Sequence, residues 1–279
     1  MQALQHGKKL SFPSFPNTPI QRIVILVAMP EEATPIIKIL NLKPCDLGLD
    51  PHLNLVTYHG TFQGRAIHLV VNGTDPIYGV AQVGTDTAVL STYETIRKLK
   101  PDTIISAGTA GGYKSRGAMI GDVYIGSGSF VFHDRRIPCG QGYIDYGQGF
   151  YPCLSAPALV NALQLKSGII STGNSLSLSA MDNDIIQKNG AVAKDMEVAA
   201  IANVARQFNV RVMAIKGITN LASLSADAGQ AFESNFDSTV DKIAQKIPGV
   251  LQFILGKTPQ QLGNPLALVE SRFLASVNG

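Results

Sequence analysis

Residues 23–28 read Ile-Val-Ile-Leu-Val-Ala, an unbroken β-branched and aliphatic run of the kind used by strands covered on both faces. Such a strand needs helices above and below it, and a helical pattern follows at once over residues 31–40. Strand-like runs at 54–59 and 66–71, joined through Phe62-Gln63-Gly64, predict a hairpin. A helical pattern over 81–99 is stopped by Pro101, and an apolar strand at 103–107 runs into a glycine-rich turn. Further strands are expected at 122–127, 129–133, 166–171 and 211–218, and helices at 184–189, 197–207 and 236–255, the last kinked at Pro248. Residues 139–151 are rich in Gly and Tyr without a clear period and read as a long loop. The alternation of strands and helices places the chain in the α/β class, as a single-domain three-layer α/β/α arrangement with a mixed central sheet.

At 279 residues the chain is ample for one such core, and neither an internal repeat nor a domain linker interrupts it. Pro13, Pro16 and Pro19, with Ser and Asn between them, break any period over residues 1–20, which are expected to form a flexible arm. The domain is expected over 21–256. An extension at 257–279 follows, in which residues 266–277 form an amphipathic stretch suited to packing on the body or on a partner.

Composition removes several classes. The net charge of +3 has no basic block behind it, and only 7% of residues are aromatic with no Trp, so the stacking platforms of single-strand binders are missing. No nucleic-acid partner is expected. Cys45, Cys139 and Cys153 form no CxxC pair, which argues against a disulfide framework and a structural zinc site. A reducing, cytoplasmic compartment fits, since no run has the length of a signal-peptide core or a membrane span. Neither a membrane partner, a metal nor a cofactor is expected.

In open α/β sheets ligands sit beyond the carboxyl ends of strands, and four such places carry candidate chemistry. Ala28-Met29-Pro30-Glu31-Glu32 suits a plain helix start, but Glu32 is also placed to hold and polarise a water as general base. Ser106-Ala107-Gly108-Thr109-Ala110-Gly111-Gly112 is either a tight turn or a surface that a ligand approaches closely; it is neither a Walker loop nor GxGxxG. In Lys194-Asp195-Met196-Glu197-Val198, a helix starting here puts Glu197 on the apolar stripe of Ile201, Val204 and Phe208. A carboxylate there needs either a structural hydrogen-bond network or a polar ligand group such as paired ribose hydroxyls. Gly217-Ile218-Thr219-Asn220 reads as ordinary turn residues unless a wider pattern promotes them. His133-Asp134-Arg135-Arg136 offers a metal or anion site, but a lone His is more commonly a surface or interface residue.

These places, in this order, resemble the 5'-methylthioadenosine/S-adenosylhomocysteine nucleosidases of the nucleoside phosphorylase/hydrolase family, especially the plant type. The similarity runs from Arg22 to Gly256 and includes AMPEEA (28–33), LKPDTIISAGTAGG (99–112), IGDVYI (120–125), VFHDRRIP (131–138), STGNSL (171–176) and KDMEVAA (194–200). The resemblance implies a nucleoside phosphorylase-like fold and release of adenine from methylthioadenosine-type purine nucleosides, in methionine and S-adenosylmethionine salvage. It implies that Glu32 activates the attacking water, that Met196 and Glu197 hold the ribose, and that Thr109, Ala110 and Gly111 line the sugar and base pocket. Leu176 and Ser177 would contact adenine, largely through backbone groups, and Thr219 would join the substrate-binding set. The family's phosphorylases place an Arg before the small-residue segment to bind phosphate; Ser106-Ala107 stands there here, so hydrolysis is favoured. A homodimer whose neighbouring subunit helps close the pocket is also implied.

Two positions depart from the family pattern. Asn220 stands where the family has an Asp that donates a proton to N7 of adenine, and an amide donates a hydrogen bond but not a proton. Asn174 replaces an Asp common in the plant-type adenine turn and is expected to alter base recognition. Besides the methylthioadenosine hydrolase, Asn220 leaves open a nucleoside-binding storage or regulatory descendant and a nucleosidase of altered, 6-oxopurine preference.

Overall fold

Ile23, Ile25 and Val27 point into one apolar core and Val24 and Leu26 into a second, so the strand that they form is covered on both faces. The structure is a computed structural model that describes residues 15–222 and 228–264. Its strands are β1 (Ile23–Val27), β2 (Lys43–Pro44), β3 (Val56–Phe62), β4 (Arg65–Val71), β5 (Thr103–Gly112), β6 (Val123–Phe132), β7 (Tyr151–Pro152), β8 (Lys166–Thr172), β9 (Ala193–Asp195) and β10 (Arg211–Leu221). The helices are α1 (Pro30–Ile39), α2 (Thr85–Leu99), α3 (Gln141–Gln148), α4 (Pro157–Leu163), α5 (Ala180–Asn189), α6 (Val198–Ala205) and α7 (Ala228–Ile254).

The strands make one mixed sheet in the order β10-β6-β8-β9-β5-β1-β4-β3-β2, with β7 on β6. A further parallel pairing of β10 with β5 closes the first five into a ring, and β1, β4, β3 and β2 extend from it as a wing. Helices α1, α4 and α7 supply Ile36, Leu159 and Ile247 to the first core, and α2 and α6 supply Ile96 and Val204 to the second. Each side chain fully withdrawn from water in this way contributes roughly 1.5–3 kcal/mol.

Several elements differ from the expectation. The small-residue segment 108–112 is not a turn but the second half of β5, held between β10 and β9. The two strands expected at 122–127 and 129–133 are one, β6, with a register shift between Gly126 and Phe130. The loop expected over 139–151 contains α3, a short helix in which only Gly147 is fully buried, so no apolar period marks it. Helix α2 begins at Thr85 rather than 81, because residues 72–82 fold back on themselves through Gln82 N–H to Gly73 O and a bridge between Thr74 and Ala81. Helix α7 starts before 236 and continues through Pro248, and the seven-residue α4 is an element beyond those expected. The hairpin is present, with Gln63 and Gly64 both at positive φ as a two-residue turn demands.

At the chain's ends, Ile20 is buried and exchanges backbone hydrogen bonds with Gly256 and Lys257, and the Arg211 guanidinium donates to the carbonyls of Pro16 and Thr18. The amphipathic stretch at 266–277 and residues 1–14 lie outside the described residues.

Candidate active site

Helix α1 starts directly after β1, with Pro30 in its first turn, and this junction carries Glu32 to the carboxyl edge of the sheet. Glu32 is buried, and its Oε1 accepts from Thr109 N at 2.7 Å and from Thr109 Oγ1 at 2.8 Å. A Cβ at Gly108 would lie 2.9 Å from both Glu32 carboxylate oxygens, so only glycine lets β5 approach this closely. Burial raises the Glu32 pKa, while the Lys216 charge and the Thr109 hydrogen bonds oppose the rise.

Glu197 does not stand on a helical stripe. It is the N-cap of α6, and although Ile201 and Val204 are buried as expected, Phe208 is exposed. Its Oε1 accepts from Gly84 N at 3.1 Å, just before α2, and its Oε2 lies 3.9 Å from Lys216 Nζ. Asp195 takes the shorter contact with Lys216, at 2.9 Å, and also accepts from Thr172 Oγ1 and from Val198 N at the start of α6. Burial lifts the Glu197 pKa to about 7; Lys216 lowers it, and the neighbouring Asp195 and Glu32 raise it further. Burial alone would pull Lys216 down, but these three carboxylates hold its pKa above the usual lysine value.

Asn220 owes its position to a β-bulge. Against β5 the register passes from Ile218↔Ala110 to Asn220↔Gly111, leaving Thr219 as the extra residue. Consecutive strand residues ordinarily face opposite ways, yet Thr219 and Asn220 both line one cavity as a result. Thr219 Oγ1 donates to Asn220 Oδ1 at 3.1 Å, and Asn220 Nδ2 is a buried donor with no partner among the described residues.

That cavity measures about 360 Å³ and brings together Glu32, Thr109, Ala110, Gly111, Leu176, Met196, Glu197, Thr219 and Asn220. Ser177 is exposed and outside this lining. Met29, Val80, Val83 and Phe232 add apolar wall that the sequence reading did not single out. Polar groups converge on a mostly apolar hollow of a size suited to a small organic ligand. Among the described residues no cluster of three His, Cys, Asp or Glu side chains is arranged to hold a metal ion.

The phosphorylase superfamily model matches residues 22–255. The chain belongs to the phosphorylase superfamily. Within that superfamily it is 40% identical over 240 residues to the 5'-methylthioadenosine/S-adenosylhomocysteine nucleosidase of Arabidopsis thaliana, covering 86% of this chain and 94% of the relative. It is 39% identical to the 5'-methylthioadenosine nucleosidase of the same plant, covering 88% and 91%. The solved apo structure of Arabidopsis thaliana 5'-methylthioadenosine nucleosidase superposes with a TM-score of 0.83 at 38% identity, covering 87% of this chain and 99% of that one. The nucleosidase resemblance and the nucleoside phosphorylase-like fold expected from the sequence are therefore both confirmed.

For this superfamily member the site also corrects and extends the sequence reading. Asn174 is not aimed at the cavity: its Oδ1 accepts from Thr85 N at 2.7 Å and its Nδ2 donates to Thr85 Oγ1, so it caps α2 from across the fold. The cap steadies the same helix start that supplies Gly84 N–H to Glu197. His133 is buried rather than on the surface, beside Ser171 Oγ at 3.0 Å, and burial pushes its pKa down to about 4. His59 and His68, scattered in sequence, face one another across β3 and β4 with ring centroids 5.0 Å apart. The residue most plainly missed is Lys216, whose signal was a lone cation inside the apolar stretch 212–218 of β10.

Proposed function

We propose that this phosphorylase-superfamily protein hydrolyses the N-glycosidic bond of 5'-methylthioadenosine-type purine nucleosides and releases adenine. The observation that carries the reading is the joining of Glu32, Glu197 and the unpartnered Asn220 Nδ2 in one cavity. In its ionised form Glu32, fixed by Thr109, takes a proton from water as the water oxygen attacks C1' of the ribose. Glu197 accepts from the ribose hydroxyls, with Met196 beside it. Asn220 Nδ2 donates to N7 of the base, while the free lone pair of its Oδ1 accepts from the exocyclic amine. Ala110 and Gly111 supply the flat floor, and Leu176 the rim nearest the base. Ser106 and Ala107 before this floor carry no positive charge, which supports water rather than phosphate as the nucleophile.

A homodimer is part of the same reading. Ile77 and Tyr78 are 82% and 79% exposed, directly before the wall residues Val80 and Val83, and a second copy seated there would narrow the mouth. A cytoplasmic place in methionine and S-adenosylmethionine salvage follows from the proposed substrate.

The test is incubation of the pure protein with methylthioadenosine, adenosine and inosine while free base is followed. Adenine release from methylthioadenosine is expected. Tight binding without release from any of the three would favour a binding protein, and hypoxanthine release alone a 6-oxopurine enzyme; either result overturns the reading.

A further inference from the structure

Lys194 is a buried cation that the chemistry above leaves unused. In β9 it pairs with Gly111 of β5, and on the other side of Gly111 stands Asn220 of β10. The three form one row across the sheet, so Lys194 and Asn220 flank a residue with no side chain. A Cβ at Gly111 would lie 3.3 Å from Asn220 Nδ2 and 3.5 Å from Lys194 Cγ, which measures how closely the two side chains converge. Lys194 is 4% exposed and is the only cation among the described residues that line the cavity. Its Nζ donates to Ser175 O at 2.9 Å, in the turn that leads to Leu176, which like Lys194 lines the cavity.

The charges around the cavity are divided. Glu32, Asp195 and Glu197 gather about Lys216, at what the nucleosidase reading makes the sugar end. Among the described residues no carboxylate oxygen stands within salt-bridge distance of Lys194 Nζ, so its charge is not spent on a direct ion pair. When a glycosidic bond breaks, the C1'–N9 electron pair leaves with the purine, and without a proton donor the base departs as an anion. A fixed positive charge in a water-poor pocket stabilises charge that develops in the transition state and needs no reorganisation to do so.

Resting on the nucleosidase reading, we propose that Lys194 stabilises the departing base electrostatically and so substitutes for the acid that is absent at position 220. The purine leaves with the bonding electrons opposite the Lys194 ammonium, the water oxygen bonds to C1', and the water proton passes to Glu32. Solvent then protonates the released base. Lys194 faces Asp195 on its own strand, His133 and Asp134 after β6, and Asp182 on α5; burial holds its pKa below the usual lysine value, and the three aspartates oppose that fall only in part.

The test compares wild type, Lys194→Gln, Lys194→Arg and the double variant Lys194→Gln with Asn220→Asp, reading kcat and KM for methylthioadenosine against pH. Lys194→Gln is expected to lower kcat by roughly 10²–10³-fold, the worth of one preorganised donor, with KM changed less than threefold. Adding Asn220→Asp to it should restore kcat at least tenfold. Lys194→Arg should keep most of the rate and remove the alkaline fall in kcat that deprotonation of Lys194 gives the wild type, a readout that a merely structural lysine would not move. It remains decisive if Lys194→Gln fails to fold. Unchanged kcat in folded Lys194→Gln, no rescue by Asn220→Asp, or the same alkaline limb in Lys194→Arg would each overturn the inference while the wild type still releases adenine. Absence of adenine release by the wild type overturns the nucleosidase reading and this inference with it.

Discussion

Lys216 Nζ meets Asp195 Oδ2 at 2.9 Å with both side chains withdrawn from solvent, and this pair is the foundation on which the two glutamates of the cavity stand. Removing one partner of a buried pair leaves the other charge uncompensated, which commonly costs about 3–5 kcal/mol. Lys216→Met is therefore expected to lower unfolding free energy by that amount in urea titration and to abolish adenine release. A melting curve and activity within error of wild type would show that the cation is dispensable.

The raised Glu197 pKa sets a direction for pH dependence. A carboxyl lifted to about 7 is neutral below that value, and a neutral carboxyl accepts poorly from ribose hydroxyls. Glu32, also raised, must be ionised to take a proton from water. The ratio kcat/KM should thus fall as pH drops through about 7, because it reports groups of the free enzyme. A profile flat from pH 8 to pH 5.5 would contradict the assignment of these two acids.

Gly108 is a test of position rather than chemistry. Its Cβ as alanine would press on both oxygens of Glu32, so Gly108→Ala should displace the carboxylate and reduce kcat by ~10²-fold while the protein stays folded. Circular dichroism with single-turnover rates checks both halves of the expectation, and full activity would show that Glu32 has room that the geometry denies.

Ile25 tests the double-sided core. It is fully buried at the centre of β1, and truncation there removes packing that neighbouring strands cannot refill. Ile25→Ala should destabilise by about 2–5 kcal/mol in denaturant unfolding.

The run at 23–28 correctly announced a strand covered on two faces, since burial on both sides leaves a local signature. Glu32, Thr109 and Asn220 stand at the ends of such runs, but Thr109 and Asn220 were told from ordinary turn residues only by the family resemblance. What was not legible depends on contacts distant in sequence. Pairing of β10 with both β5 and β6 closes the ring, and no local period records it. The bulge at Thr219 is a mismatch between two strands more than a hundred residues apart, so neither strand alone reveals it. Asn174 looked like a base-contacting residue because its partner Thr85 lies 89 residues away. Lys216 sat in plain view within an apolar run, but its meaning required the three carboxylates that two other segments bring to it.

Asn220 is the decisive residue of the proposed reaction, because on the nucleosidase reading it stands where an acid would protonate the leaving base. The direct measurement is kcat for adenine release from methylthioadenosine by wild type and by Asn220→Asp, with binding measured alongside. The account predicts measurable release by the wild type and a faster rate in Asn220→Asp, a positioned general acid usually being worth ~10²–10⁴-fold. An Asn220→Asp protein that folds and binds methylthioadenosine yet releases adenine no faster than wild type would contradict it.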